Sequence, residues 1–223
     1  MRLRNLKNKE EILENSNYLV KDPYQYKGNW CKYFNNSNPI YIEIGMGFGK
    51  FIVEYAKRYP DINFIGIEKL DNVVARALPR IPDNIPNLCV VRINALEIDE
   101  IFDKEVDRIF LNFSDPWPKV RHSDRRLTSP IFLEKYDKIF SKDKSIYMKT
   151  DNRDLYIYSL ESLSNYGYKL GDISFDLHEC KDEDIITTEY EDKFVNKGIP
   201  IYRVNANISS KWVKNYKNFY NYK

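Results

Sequence analysis

Residues 40–51 constrain the fold of this chain more than any other stretch. An apolar strand pattern runs directly into Gly45, Gly47 and Gly49, and an amphipathic helix pattern follows at once. A strand, a glycine turn and a helix form the first half of a nucleotide-binding unit, because glycines let the backbone approach a ligand closely. Further strand and helix patterns alternate along the chain, so we predict an α/β fold with a mostly parallel sheet.

Two carboxylates lie near this turn in the sequence. Glu43 sits inside the apolar strand pattern, where a buried charge costs several kcal/mol unless another group compensates it. The ammonium or sulfonium of S-adenosylmethionine would compensate it, and an internal salt bridge is the alternative. Glu68 ends a second strand pattern roughly twenty residues later, where nucleotide-binding folds place the acid that accepts both ribose hydroxyls. The Gly-x-Gly-x-Gly spacing is the usual one in S-adenosylmethionine methyltransferases, whereas dinucleotide folds prefer Gly-x-Gly-x-x-Gly.

The third strand pattern, residues 88–93, ends at Asn94 and Ala95. The side-chain amide of Asn94 can accept from an adenine amino group, while a backbone donor faces a ring nitrogen. Capping of the helix that begins at Leu96 explains Asn94 equally well.

The most distinctive stretch is residues 106–126, which begins as a strand. Pro116 and Pro118 stop this strand, because they lack an N–H donor and force extended backbone on the residues before them. Asp115 is therefore held at a stiff strand end, beside the aromatic plane of Trp117. A fixed carboxylate and a flat apolar face suit a nucleobase, and the cations that follow suit its phosphates. These cations are Lys119, Arg121, His122, Arg125 and Arg126. A proline-punctuated turn with a solvated basic loop is the alternative interpretation.

A fifth strand pattern, residues 145–148, leads to a second strand-end carboxylate, Asp151. Asp151 would lie beside Asp115 if the fourth and fifth strands are neighbours, since ligands gather at the carboxyl ends of parallel strands. Capping of the helix from Arg153 is the alternative role for Asp151. Residues 168–177 and 198–204 complete the strands, and we expect the last one to be antiparallel to its neighbour.

Composition indicates the setting of the protein. Lys and Arg number 35 against 33 Asp and Glu, a net charge of +2, yet basic residues without acids concentrate in residues 1–9 and 208–223. Segregated charge suits a polyanion partner. The three cysteines are odd in number and lack ligand spacing, so we expect reduced thiols, no metal site and a cytoplasmic protein. No apolar run is long enough to span a bilayer, and we expect no membrane partner.

We expect three regions along the chain: an N-terminal arm over residues 1–39, a catalytic domain over residues 40–207 and a tail over residues 208–223. The arm is polar and carries one short helix pattern near residues 9–15. The tail is basic and aromatic, and packing of its aromatic residues onto the domain is the preferred interpretation.

Together these motifs resemble those of the bacterial tRNA (guanine-N7-)-methyltransferase family. The matching features run in family order from about residue 40 to residue 204, and they are Glu43-Ile-Gly-Met-Gly-Phe-Gly49, Gly66-Ile-Glu68, Asp115-Pro-Trp-Pro-Lys119, His122-x-x-Arg-Arg126, Thr150-Asp151-Asn152, Thr188-Glu-Tyr-Glu191 and Gly198-x-Pro-Ile-Tyr-Arg203. The resemblance implies a seven-stranded Rossmann-like sheet with helices on both faces. It also implies methyl transfer from S-adenosylmethionine to N7 of guanine at position 46, in the variable loop of tRNA.

The resemblance assigns roles by motif position. The expected cofactor-binding residues are Glu43, Gly45, Gly47, Gly49, Glu68, Asn94, Ala95 and Asp115, and Asp115 is also the expected catalytic residue. The expected substrate-binding residues are Lys119, Asp151, Thr188, Glu189, Tyr190 and Glu191, with Arg121, Arg125 and Arg126 on the phosphates. Many relatives carry Asp at position 94, but an amide can still accept from the adenine amino group.

Guanine N7 is already a nucleophile with a free lone pair, so we expect positioning and charge placement to dominate over general base catalysis. Asp115 would accept from N1–H and the 2-amino group of the base, with Asp151 and Glu191 completing an acidic wall. Three alternatives stay open: a methyltransferase with another target base, an NAD-dependent oxidoreductase, and a non-catalytic RNA-binding subunit. The protein is expected to act as a monomer or a homodimer.

Overall fold

The computed structural model describes residues 6–179 and 185–208. Within them, eight strands form a single sheet: β1 (Leu19–Val20), β2 (Ile40–Ile44), β3 (Asn63–Ile67), β4 (Leu88–Val91), β5 (Val106–Asn112), β6 (Lys144–Thr150), β7 (Lys169–Ser174) and β8 (Tyr202–Ile208). Their order across the sheet is β1-β4-β3-β2-β5-β6-β8-β7. The pairs from β1 to β6 are all parallel, whereas β8 runs antiparallel to both β6 and β7.

This topology confirms the predicted α/β class and the single antiparallel strand near the end of the chain. The seven predicted strands are all present. The sheet has one strand more than the seven expected, because β1 pairs with β4 at its edge. Two residues are too few to give the alternating pattern by which a strand is detected in a sequence.

The described helices are α1 (Lys9–Asn15), α2 (Trp30–Phe34), α3 (Lys50–Arg58), α4 (Asp71–Ala77), α5 (Ile98–Ile101), α6 (Pro130–Ile139), α7 (Arg153–Tyr166) and α8 (Glu189–Val195). Their ends follow local chemistry. Asn152 caps α7, since its side chain accepts from the Leu155 N–H at 2.8 Å, and Gly167 ends the same helix at a φ of 103°. The predicted short helix near residues 9–15 and the predicted helix from Arg153 are confirmed.

Two hydrophobic clusters lie on opposite faces of the sheet. Successive residues of a strand point to opposite faces, so Ile109 and Leu111 enter one cluster and Phe110 enters the other. Phe51, on α3, packs at 5.1 Å from the Phe110 ring on the second face. Because both faces are covered, the parallel strands are buried, and the functional groups of the sheet are left at its edge where the strands end.

Part of the N-terminal arm packs on the sheet. Trp30 is fully buried in the cluster that contains Leu111, and its indole N–H donates to the Ile101 carbonyl at 2.8 Å. A single buried aromatic residue carries no periodicity, so the sequence pattern did not indicate this contact. Cys31 and Cys89 are both free thiols, and Cys89 is buried. Residues 1–5, Cys180, most of the acidic stretch at 179–184 and the aromatic tail lie outside the described residues.

Among the described helices, none is long and apolar enough to cross a membrane.

Candidate active site

The carboxyl ends of β2, β3, β4 and β5 surround a cavity of about 650 Å³. The glycine turn forms one side of it. Gly45, Gly47 and Gly49 have φ values of 80°, 57° and 87°, the left-handed region that favours glycine. The N–H groups of Gly45 and Met46 donate to the Ile67 carbonyl, which holds the turn against the end of β3. Of the three glycines, Gly45 lines the cavity.

Glu68 lines the cavity at the end of β3. Its Oε1 accepts from the N–H groups of Lys69 and Leu70, at 2.9 and 3.0 Å. These bonds fix the carboxylate at the strand end, where it lines the cavity. The geometry therefore fits the predicted role of Glu68 as an acceptor for hydroxyl groups.

Asn94 and Ala95 line the same cavity at the end of β4. The Asn94 Oδ1 accepts from the Leu96 N–H at 3.1 Å and caps a short 3₁₀ helix, Ala95–Glu97. The capping interpretation is therefore confirmed. A carbonyl oxygen has two lone pairs, so the same Oδ1 can also accept from a ligand in the cavity.

Glu43 lies apart from the cavity-lining residues. Its side chain is buried beside Asn112, whose Nδ2 donates to Glu43 Oε1 at 2.8 Å. Glu43 Oε2 and Asn112 Oδ1 have no hydrogen-bond partner among the described residues. Burial raises the pKa of Glu43 to about 8, although the Asn112 hydrogen bond and the charge of Lys149 oppose the rise. Glu43 makes no ion pair with Lys or Arg within the described chain, so the structure does not show the alternative internal salt bridge.

Asp115 is exposed and lines the cavity just beyond β5. The chain turns sharply on both sides of it, since Phe113 and Trp117 have positive φ values of 51° and 42°. Such backbone costs about 1–3 kcal/mol for a residue with a side chain and persists only where its surroundings enforce it. The Phe113 N–H donates to the Lys149 carbonyl at 2.9 Å, which fixes the start of this loop to β6.

Asp151 follows β6, the immediate neighbour of β5. The two strand-end carboxylates therefore emerge at the same edge of the sheet, as predicted, but only Asp115 lines the cavity. Asp151 accepts from the Tyr190 hydroxyl at 3.2 Å, and the Tyr190 ring lies 5.1 Å from that of Phe113. The capping alternative for Asp151 is wrong, because Asn152 caps α7.

The segment from Thr188 to Glu191 begins α8 with a capping box. The Thr188 hydroxyl accepts from the Glu191 N–H, and the Glu191 carboxylate accepts from the Thr188 N–H. Glu191 is fully buried, where Lys149 Nζ lies 2.5 Å from one carboxylate oxygen and His178 Nε2 lies 2.9 Å from the other. Both oxygens of the Glu191 carboxylate are therefore bonded inside the protein. Glu191 does not belong to the acidic wall that we expected around the base.

Glu189 and Tyr190 are the members of this segment that face outward. Glu189 is half-buried and near enough to Glu43 to contribute to the raised pKa of Glu43. Tyr190 is 43% exposed and stacks on Phe194 with ring centroids 4.3 Å apart. Lys50, at the start of α3, bonds Asp192 and Thr187, so the beginning of α8 is tied directly to the helix that follows the glycine turn.

The predicted cations divide into two groups. Arg121 and Arg125 lie on a 3₁₀ helix, Val120–Arg125, and Lys119 directly precedes it; all three side chains are exposed. The Arg125 guanidinium carbon lies 4.9 Å from the Trp117 ring centroid. His122 packs edge-on against the same ring. Arg126 is instead half-buried and donates to two backbone carbonyls.

Several cavity-lining residues lie outside the motifs that the sequence analysis identified. Leu70, Leu96 and Ile131 line the cavity although each is 43–50% exposed, and Asp124 lies at its rim. Leu70 and Leu96 each stand two positions after a polar strand-end residue, Glu68 and Asn94. An apolar residue at that spacing is the sequence feature from which these two cavity-lining residues could have been predicted. The resulting cavity combines polar groups at the strand ends with apolar walls, as small-molecule sites generally do.

A glycine turn, a strand-end acid and a polar residue after the next strand, all around one cavity of a mostly parallel sheet, define a Rossmann-like methyltransferase. Comparison with solved structures agrees. The 16S rRNA methyltransferase KamB superposes with a TM-score of 0.60 at 12% identity, covering 82% of this chain and 93% of that one. A 16S rRNA (adenine(1408)-N(1))-methyltransferase variant from Catenulisporales acidiphilia, solved with its cosubstrate, gives a TM-score of 0.58 at 15% identity, covering 86% and 93%. At these identities the likeness shows the fold alone.

Sequence comparison identifies the family. The model of a family described as putative methyltransferases matches residues 37–204. A tRNA (guanine-N(7)-)-methyltransferase of Lachnoclostridium phytofermentans is 50% identical over 92% of this chain and 98% of its own length. The enzyme of that name from Oceanobacillus iheyensis is 47% identical over the same shares. The chain belongs to the tRNA (guanine-N(7)-)-methyltransferase family.

Proposed function

We propose that this protein transfers the methyl group of S-adenosylmethionine to N7 of a guanine in tRNA, at position 46 of the variable loop. The observation that carries the proposal is the exposed Asp115 carboxylate, held by strained backbone at the rim of a cavity that also presents Glu68 and Asn94. The family membership supports the same reaction.

The cavity residues fit an adenosine group. Glu68 offers a fixed carboxylate oxygen to ribose hydroxyls, and Asn94 offers its Oδ1 to an adenine amino group. Leu70 and Leu96 supply apolar walls for the ring. Glu43 Oε2 is a buried acceptor without a partner in the described part of the chain, and a cationic group beside the glycine turn would satisfy it. When bound, S-adenosylmethionine supplies an activated methyl group.

The protein's own contribution is to orient the base and to stabilise charge. Guanine N7 needs no proton removed, so these residues act without a general base. Transfer leaves positive charge on the guanine ring, and a carboxylate that accepts from N1–H and the 2-amino group stabilises that charge. We assign this role to Asp115. Adenine offers no matching donors at that edge, so the same contact discriminates against it.

Neighbouring groups complete the substrate site. Asp151 and Tyr190 are joined by a hydrogen bond, and the Tyr190 ring packs against Phe113, which lines the cavity. Lys119, Arg121 and Arg125 are exposed next to Asp115 and can neutralise phosphates of tRNA. The target base must leave its contacts in folded tRNA to reach this edge. With tRNA as the partner, the expected cytoplasmic location follows; the protein would act as a monomer or a homodimer.

Incubation of the protein with unmodified tRNA and labelled S-adenosylmethionine tests the proposal. Label should appear as 7-methylguanosine, mapped by nuclease digestion and mass spectrometry to position 46. A tRNA transcript with adenosine at position 46 is the matched control and should stay unlabelled. Methylation of a different base, or equal labelling of the control transcript, would contradict the assignment.

A further inference from the structure

The basic loop after Asp115 contains one arginine whose surroundings differ from those of its neighbours. Arg121 and Arg125 are exposed, whereas Arg126 is half-buried and its guanidinium donates to backbone carbonyls. Its Nε donates to the Pro116 carbonyl and its Nη2 donates to the Trp117 carbonyl, both at 3.1 Å. The guanidinium carbon also lies 4.2 Å from the centroid of the Tyr158 ring, on α7.

These two carbonyls flank the backbone of Trp117, the residue with a φ of 42°. Holding the peptide group on each side of a residue fixes both of its backbone torsions. A fork of two parallel N–H donors is specific to the planar guanidinium, and the ring of Tyr158 sets the plane of that fork. The contacts of Arg126 therefore enforce the strained turn that begins directly after Asp115.

We propose that Arg126 is a positioning residue for Asp115 rather than a phosphate ligand. By clamping the carbonyls of Pro116 and Trp117 against α7, it fixes the direction in which the Asp115 carboxylate meets the base. Since Pro116 has a fixed φ, little rotational freedom remains between the clamped carbonyl and Asp115. The sequence-based assignment of Arg126 to phosphate binding is thereby replaced, while Arg121 and Arg125 keep that role.

The two roles differ in their salt dependence. A phosphate ligand contributes to the slope of log Kd for tRNA against log salt concentration, by about 0.7–0.9 for each contact. A positioning residue leaves this slope unchanged and instead lowers the rate of the chemical step. The inference rests on the proposed methyl transfer, which the wild-type arm of the same assay tests separately.

The experiment compares Arg126→Gln with Arg121→Gln, an exposed arginine of the same loop. For Arg126→Gln we expect a single-turnover rate at least tenfold lower at saturating tRNA, with the salt slope of wild type. For Arg121→Gln, whose side chain we assign to a phosphate, we expect a slope smaller by about 0.7–0.9. A reduced slope in Arg126→Gln with an intact rate would overturn the proposal.

A milder pair of variants covers the case in which Arg126→Gln fails to fold. Tyr158→Leu removes the ring beneath the guanidinium, and Tyr158→Phe keeps it. We expect a slower single-turnover rate in Tyr158→Leu alone, with wild-type salt dependence in both. Equal rates in the two Tyr158 variants would also overturn the proposal.

Discussion

Replacing Glu43 by glutamine should change how the stability of the protein depends on pH. Glu43 is 1% exposed, and burial raises its pKa from 4.5 to about 8. A carboxyl group with a raised pKa in the folded state stabilises the fold fully below its unfolded pKa, and this contribution is lost as the pH rises through the folded pKa. The window for Glu43 therefore runs from about pH 4.5 to about pH 8.

The size of the effect follows from the same pKa values. Each pH unit inside this window costs the fold about 1.4 kcal/mol, so the free energy of unfolding loses about 2.5 kcal/mol from this group between pH 5 and pH 7. Glutamine has no charge to bury. Its carbonyl can still accept from Asn112 Nδ2, and its amide can offer a donor to the buried Asn112 Oδ1, which has no partner among the described residues.

Urea denaturation of the cofactor-free protein, followed by tryptophan fluorescence at pH 5, 6 and 7, measures this difference. We expect Glu43→Gln to gain about 2.5 kcal/mol relative to wild type across that range. Glu161→Gln, which changes an exposed glutamate on α7, is the matched control and should gain nothing. If the free energies of unfolding of wild type and Glu43→Gln changed with pH in parallel, the raised pKa of Glu43 would be refuted. Under the proposed function, the same variant should bind S-adenosylmethionine more weakly, because glutamine cannot ionise to offset the positive charge of the bound cofactor.

Three further outcomes are expected. Lys149→Met leaves Glu191 buried without its main counter-charge and should lower the free energy of unfolding by about 3–5 kcal/mol, measured by thermal or urea unfolding. A double variant that adds Glu191→Gln should recover much of that loss, and no recovery would contradict the pairing of Lys149 with Glu191. Asp115→Asn should lower the single-turnover rate about 10²–10³-fold while the Kd for tRNA stays within twofold, so an unchanged rate would remove Asp115 from the catalytic role. Glu68→Gln should weaken S-adenosylmethionine binding about tenfold by calorimetry, since it removes the charge from a hydrogen bond worth about 1.5–3 kcal/mol, and equal affinity would exclude Glu68 from the cofactor site.

The sequence revealed those parts of the site that are set by local chemistry. The glycine turn, the strand ends at Glu68 and Asn94, and the proline-stopped strand before Asp115 each depend on residues within a few positions of one another. They were predicted together with the strands that carry them. Periodicity and turn chemistry act over this range, so these elements could be placed without a structure.

The roles of Glu191 and Arg126 could not be predicted in the same way. Each depends on partners that are distant in sequence: Lys149 lies 42 positions before Glu191, and Tyr158 lies on α7, separated from Arg126 by α6 and β6. A glutamate in an acidic segment and an arginine in a basic run both suggest a ligand contact when only their neighbours are known. Tertiary packing decides which charged side chains bond within the protein. For this reason the sequence-based prediction assigned Glu191 and Arg126 to ligand contacts that the structure does not support.

The buried charges explain how the substrate segment keeps its place at the sheet edge. Lys149, one residue before the end of β6, is fully buried, and its Nζ donates both to the Ile186 carbonyl and to Glu191. The start of α8 is therefore bonded to the strand next to β5, which leads to Asp115. Breaking this pair would leave an uncompensated charge in the core, which penalises any displacement of α8. With Glu191 held inside, Tyr190, the residue before it, packs against Phe113 and donates to Asp151. With its Glu191 carboxylate engaged inside the protein, the segment packs an aromatic ring against Phe113, a residue that lines the cavity.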